Sequence, residues 1–338
     1  FKQKTAYEML RSLVGSEMCI RDRFKVSSGP KSFIYVLVFI VTIFTALFVY
    51  NKPPYTEGLF WQVSKDGVVL GHIYGTIHMN DEKVTRVSKK VMDIFDNSYG
   101  YSIEAFPSSH LWNPYHGFEN IKKRMMLDGK TLEQVAGKKT ADEVFEILTK
   151  NGVNEEYARK IKPWAAMFSI AAKSKHSGPI VDHKLLDIAS MQEKEIHQIE
   201  SPEELLAAFY AMPIESQVEL LKAKIKDFPN IQNTLDEMVE AYLDEDLQLL
   251  MDTSTNFMDR NDYEQNKHLE VYLKHSVYIR NWVFAHYMQL PFLYGLDRHK
   301  GRGGTFVCVG AMHLLGEKGV LSLLENEYGF DIKRIHLK

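Results

Sequence analysis

The chain has 338 residues, 45% hydrophobic and 25% charged, with 41 basic against 44 acidic side chains and a formal net charge of −3. That composition is globular and supplies enough apolar surface for one large core or two small ones, and with no basic block, nucleic acid is excluded as an expected partner. Two cysteines, Cys19 and Cys308, exclude a disulfide framework and a thiolate zinc site, so any metal would need His and carboxylate ligands.

Residues 2–23 read KQKTAYEMLRSLVGSEMCIRDR and resemble translated sequencing-adapter read-through. The other reading is a short disordered cytoplasmic tail; residues 1–31 are set aside from the fold on either. Residues 32–51, SFIYVLVFIVTIFTALFVYN, carry no charge. About 20 residues at roughly 1.5 Å each span the roughly 30 Å hydrocarbon core, which predicts one transmembrane signal anchor. Lys25 and Lys31 ahead of it put the N-terminus in the cytoplasm. A cleaved signal peptide is the rival reading, although no A-x-A site follows. Both readings export the chain after Lys52. The expected location is therefore the membrane, single-pass, with the main domain over 58–338 outside the cytoplasm (periplasmic, lumenal or extracellular).

Residues 58–63 and 68–76 are β-rich runs around Ser64-Lys65-Asp66-Gly67, and Asp-Gly between such runs predicts a hairpin. The second run ends in Gly75-Thr76-Ile77-His78. An amphipathic helix follows, with Val84, Val87, Val91 and Phe95 on one face, then a short strand over 99–103 that stops at Glu104. Residues 113–281 are mainly helical. Thr140 is expected to cap one helix and Gly152 to close another boundary. Residues 195–199 predict a short strand, and Ser201-Pro202-Glu203-Glu204 a helix start: Ser as cap, Pro in the first turn, Glu204 in the capping-box place. A long helix is expected over 265–290 and a flexible connection over 301–304. Residues 305–309 (TFVCV) are a buried strand running into Gly310-Ala311-Met312-His313, followed by a helix over 319–327 and a last strand over 332–337. The expected fold class is α/β at the two ends, with a large helical insertion between them.

Two segments match each other. YGTIH and VGAMH both place Gly-x-x-His at the C-terminal end of an apolar strand and ahead of a helix. Ligands gather at such strand ends in open α/β sheets, and Gly lets the backbone turn and approach closely. His78 and His313 are thus candidate metal ligands with Glu104 at a third strand end. Two imidazoles and a carboxylate leave a position open for water, which a metal acidifies. Taken singly, each histidine reads more readily as a satisfied polar residue than as a ligand. Arg280, within YIRNW of a long helix, is a candidate oxyanion stabiliser or a structural ion-pair partner. Glu200 reads as electrostatic support for the next helix start. Cys308 reads as a small buried hydrophobe, and His72, His110 and His116 carry no pattern. HExxH, GxSxG and a glycine-rich phosphate loop are all missing.

The segments GLFWQVSKDG, LGHIYGTIHMND, SIEAF, IKPWAAMFSI, GPIVDHKLLDIA, HQIESPEELLAAFYAMP, IRNWV and TFVCVGAMHLLGEKGVLSLLENEYGF resemble, in order, the motifs of the TraB/GumN family, which includes the TIKI-type proteases. The resemblance implies a mixed sheet with helices, built from two related halves. It also implies one site made of His78, Glu104, Arg280 and His313. TIKI-type members are similar in being membrane-tethered metalloproteases with two Gly-x-x-His motifs. Others resemble erythromycin esterases, haem-binding lipoproteins or pheromone-shutdown proteins. The expected activity is a metal-dependent peptidase acting on an extracytoplasmic peptide or protein. His78, Glu104 and His313 would hold a divalent ion (Zn, Mn or Co), with Glu104 as ligand or general base. The alternatives are a non-catalytic protein that sequesters a peptide or haem, and a metal-free esterase-like hydrolase.

Overall fold

The computed structural model describes residues 53–106, 123–171, 178–298 and 303–337. The expected tail over 1–31, the expected transmembrane helix over 32–51, His110 and His116 all fall outside them. No helix among the described residues is long and apolar enough to cross a membrane.

The hairpin forms where Asp-Gly predicts it. β1 (Phe60–Lys65) and β2 (Val68–Thr76) pair antiparallel. Asp66 and Gly67 both take positive φ, 52° and 77°, the turn conformation that matches the twist of the flanking strands. β3 (Ser98–Ile103), β4 (Glu195–Gln198), β5 (Gly303–Gly310) and β6 (Asp331–Arg334) complete a mixed six-stranded sheet in the order β4-β3-β5-β2-β1-β6. β4, β3, β5 and β2 run parallel, while β1 is antiparallel to both β2 and β6. β3 is buried along its whole length and β5 from Thr305 to Val309, as expected of central parallel strands covered on both faces.

Several boundaries depart from the sequence reading. The single helix expected after His78 is two, Glu82–Thr85 and Lys89–Asn97, because Asp81 and then Ser88 each accept a helix N-terminal amide. Val84, Val91 and Phe95 still share the buried face. Thr140 is not a cap. It is buried inside Lys138–Lys150, whose N-cap is Gly137 with φ 86°, a residue that ends one helix and starts the next. Ser201 does cap Pro202–Tyr210, with the full capping box to Glu204. The long helix is a rod in three parts: Tyr263–Leu273, a π-helical turn over Lys274–Tyr278, and Ile279–Arg298. Gly303 and Gly304 belong to β5 rather than to a flexible connection.

Two apolar cores result. One lies on the sheet, where Phe306 meets Phe95 at 5.2 Å and Phe60 at 5.9 Å between ring centroids. Each such fully buried ring contributes about 1.5–3 kcal/mol, an upper figure for a chain that is partly collapsed when unfolded. The other core is helical, around Trp164, Phe209, Leu220 and Leu269. Met312 and Leu315 pack against both, so the segment after β5, which carries His313, sits on the seam between sheet and helices.

Candidate functional site

Four adjacent parallel strands put their C-terminal ends on one edge of the sheet. Just past β4, β3, β5 and β2 come Glu200, Glu104, His313 and His78. Pairing continues beyond β4, with Ile199 N–H donating to Ile103 O at 2.9 Å and Glu200 N–H to Glu104 O at 2.8 Å. That register brings the two carboxylates side by side.

Arg280 closes the group from the helical side. Its Nε donates to Glu200 Oε1 and Oε2 at 3.0 Å, and Nη2 to Glu200 Oε2 at 2.8 Å and Glu104 Oε2 at 3.3 Å. Nη1 reaches Ser276 O at 3.1 Å and His313 Nε2 at 3.3 Å. Ser276 lies in the π-helical turn, one turn ahead of Arg280 in the same rod. All five guanidinium N–H groups therefore face protein acceptors. Glu200 is the residue whose role the sequence understated: it is 1% exposed and holds Arg280 in a forked pair.

Glu104 Oε1 accepts the Gly310 amide at 2.5 Å and lies 3.9 Å from His313 Nε2. The glycine of the second Gly-x-x-His leaves little room for a side chain. A Cβ on Gly310 would lie 3.2 Å from Glu104 Oε1 and 3.4 Å from His313 Cδ2. His313 Nδ1–H donates to Asn281 Oδ1 at 2.5 Å, and the Asn281 amide is oriented by its own donation to Lys318 O at 2.7 Å. This pins the tautomer and turns the Nε2 lone pair towards Glu104 and Arg280. Asn281 is fully buried in the long helix; its place next to Arg280 in the IRNWV segment is the sequence signal that could have found it.

His78 is differently placed. It is about half exposed (53%), and its Nε2 lies 3.9 Å from Asp182 Oδ1. Asp182, in the first turn of Val181–Met191, is 2% exposed and accepts the Thr76 hydroxyl at 2.9 Å. Its other oxygen, Oδ2, is buried with no hydrogen-bond partner among the described residues. Burial raises the Asp182 pKa, against the pull of His78. The sequence reading assigned Asp182 no role; an acid in the first turn of a helix is common, and nothing local sets this one apart.

Burial also acts on the other two groups, with opposite outcomes. It works against the Glu104 charge, but His313, His78, Arg280 and the Gly310 amide outweigh it and hold Glu104 at about 2. Burial drives His313 down to about 3, although Glu104 pulls the other way. With His313 neutral at pH 7, Arg280 and the amide are the influences that keep Glu104 ionised there. Acid should therefore lower the stability of the protein over two pH windows. Below 6.5 the unfolded state protonates the imidazole that the native state keeps neutral, and below 4.5 it protonates the carboxylate that the native state keeps ionised. Both groups bind more protons when unfolded, so stability falls with pH in each window. Melting curves from pH 7 to pH 4 on the metal-free protein should show the fall, and His313→Gln should reduce the part between 6.5 and 4.5, to which His72 and His275, also lowered by burial, contribute as well. A melting temperature that holds steady to pH 4 would contradict this account.

As a metal site, the donor chemistry fits: a neutral imidazole Nε2 faces an anionic carboxylate oxygen, and Asp182, whose Oδ1 lies 3.9 Å from His78 Nε2, keeps its Oδ2 uncommitted. As the side chains stand, no three His, Cys, Asp or Glu among the described residues converge closely enough to hold an ion. Glu104, Arg280 and His313 are brought together, while His78 leans on Asp182. All of them line one cavity of about 690 Å³, with apolar side chains over much of the rest of its wall.

A family model described as the TraB/PrgY/gumN family matches residues 59–334. No curated protein and no solved structure matches the chain.

Proposed function

Since the chain belongs to the TraB/PrgY/gumN family, we propose that it is a membrane-anchored, exported hydrolase, specifically a metal-dependent peptidase acting on extracytoplasmic peptide or protein. The observation that carries this reading is the convergence of Glu104, His313 and Arg280, with His78 beside them, on one cavity at the ends of parallel strands. β2 and β5, parallel neighbours that both lead into Gly-x-x-His, support the idea of two related halves. Residues 32–51 would form the anchor, from their uncharged composition alone.

His313, Glu104 and His78 would hold the divalent ion, and Asp182 is placed to orient His78. An ion held there would polarise the scissile carbonyl and make water a better nucleophile. The remaining work falls to the protein. Where Glu104, ionised at neutral pH, serves as general base rather than as ligand, it takes a proton from the attacking water. The water oxygen bonds to the carbonyl carbon, the C–N bond breaks, and the proton passes to the departing amine. Arg280 faces the developing oxyanion. Its Nη1–H towards His313 is the donor not committed to a carboxylate or a carbonyl. Asn281 keeps the His313 ring in the tautomer that offers Nε2.

A second reading has its own observation. Arg280 Nη1 lies 3.3 Å from His313 Nε2, the atom an ion needs. A metal-free hydrolase would keep that contact and use Glu104 and His313 as the acid–base pair. The deciding experiment is hydrolysis of a mixed peptide library by the purified protein before chelation, after chelation, and after adding back Zn, Mn or Co, with the metal content measured. The expected result is loss of cleavage on chelation and return with one divalent ion. Undiminished cleavage by fully metal-free protein would establish the second reading instead. Binding of peptide or haem without turnover under all conditions would mark a sequestering protein.

Gly310→Ala tests the site geometry. The added methyl presses on Glu104 and His313 together. Cleavage should fall roughly 10-fold or more, since sub-ångström misplacement of reacting groups is costly. Stability should fall by no more than about 1–3 kcal/mol, the usual cost of one extra methyl in a packed site. Full activity in a folded Gly310→Ala protein would mean that the two side chains need not keep their spacing.

A further inference from the structure

The cavity of about 690 Å³ is large enough for a few residues of an extended peptide and too small for a folded domain. Its wall is divided by chemistry. The charged and imidazole side chains that line it come from the strand ends, from the start of Val181–Met191 and from Arg280. The helices Pro163–Ala171 and Pro202–Tyr210 contribute only uncharged side chains to it, apolar but for the indole N–H of Trp164: Trp164, Phe168, Leu205, Leu206 and Phe209. Trp164 and Phe209 stack with centroids 5.3 Å apart and planes 12° from parallel, and Phe168 meets Phe209 edge-on at 4.9 Å. Trp164 and Phe209 are packed at 4% and 6% exposure, whereas Phe168 is 41% exposed. An aromatic ring left that open on a cavity wall gains most from an apolar group laid against it.

We propose that Trp164, Phe168 and Phe209 form a subsite for one bulky apolar side chain, aromatic or branched aliphatic, of a peptide whose neighbouring amide bond is hydrolysed at Glu104 and His313. This rests on the hydrolytic reading above and adds the substrate class to it. The amide presents its polar carbonyl to the ionisable part of the wall, and the side chain leaves water for the aromatic part. A flat stacked pair with a third ring at its edge suits a ring or a branched group. A charged side chain there would lose its hydration without meeting a counter-charge.

The test uses the full chain in detergent and a set of fluorogenic peptides that differ at one position at a time: Phe, Leu, Ala, Asp or Lys. At one position beside the cleaved bond, Phe or Leu should raise kcat/KM roughly 10- to 100-fold over Ala and Asp, the gain from burying such a side chain. Phe168→Ala should narrow that ratio to a few-fold, and Phe168→Leu should restore much of it; at 41% exposure Phe168 tolerates both changes without unfolding, which melting curves verify. Equal kcat/KM across the set, or a ratio unchanged by Phe168→Ala, overturns the subsite. So does faster hydrolysis of longer fatty-acyl esters by a protein that does not discriminate among the peptides. If nothing is hydrolysed, the hydrolase reading fails alone, and anisotropy with the same peptides still decides the subsite. Tighter binding of the Phe peptide than the Asp peptide, lost in Phe168→Ala, upholds it; equal binding overturns it.

Discussion

Replacing Arg280 with Met should destabilise the protein by about 3–5 kcal/mol, the usual cost of removing one partner from a buried charge cluster. Glu200 and Glu104 have side chains only 1% and 8% exposed, and Arg280 is the cation that both of them contact. Without it, two carboxylates stand together in a poorly solvated site. One or both must then take up a proton or draw in water. The penalty should consequently shrink as pH is lowered from 7 towards 5, because protonation relieves the stranded charge. Combining Arg280→Met with Glu200→Leu should recover part of the loss, since the second change removes one of the stranded charges. Urea denaturation of the three proteins at both pH values measures each quantity. A loss below about 1 kcal/mol, or one indifferent to pH, would mean that the cluster is hydrated and its pairing weak.

The largest effect on activity should come from Glu104→Gln. The replacement is nearly isosteric and can still accept the Gly310 amide, so the fold should survive. What disappears is the anion beside His313 Nε2. Loss of a general acid–base group typically lowers the rate about 10²–10⁴-fold, and loss of an anionic ligand weakens ion binding as well. The two roles separate on titration with excess metal. If Glu104 serves only as a ligand, saturating metal should restore much of the rate; if it is the base, the metal content recovers and the rate does not. His313→Ala should be similarly inactive and leave Asn281 Oδ1 without its donor. A Glu104→Gln protein that cleaves peptides at more than about a tenth of the normal rate would remove Glu104 from the proposed chemistry.

How much of this was legible in the chain follows from the range of each interaction. Asp66-Gly67 sets the β1–β2 turn because both residues tolerate positive φ. Ser201 and Glu204 satisfy each other across three positions. The apolar runs that end at His78, Glu104 and His313 identify themselves by β-branched and aromatic content followed by a break. Each of these signals is complete within a short window, so the sequence by itself determined the elements and put the candidate residues at strand ends. Even there, Thr140 and the helix after His78 were misread, because several capping residues competed locally and only the packing selected among them. What lies across the site was decided by the tertiary structure. Arg280 joins Glu104 and Glu200 from 176 and 80 positions away, and Asp182 accepts Thr76 from 106 positions away. Those distances close only because β4, β3, β5 and β2 lie side by side in parallel, an order set by long crossovers and core packing. Two residues with sequence-visible roles therefore changed meaning. Glu200, legible only as support for a helix start, became the anchor of Arg280, and His78, legible as the twin of His313, faces Asp182 instead of Glu104. The side-chain period and caps that fold an element are local properties, but a charge finds its partner only after the whole sheet has formed.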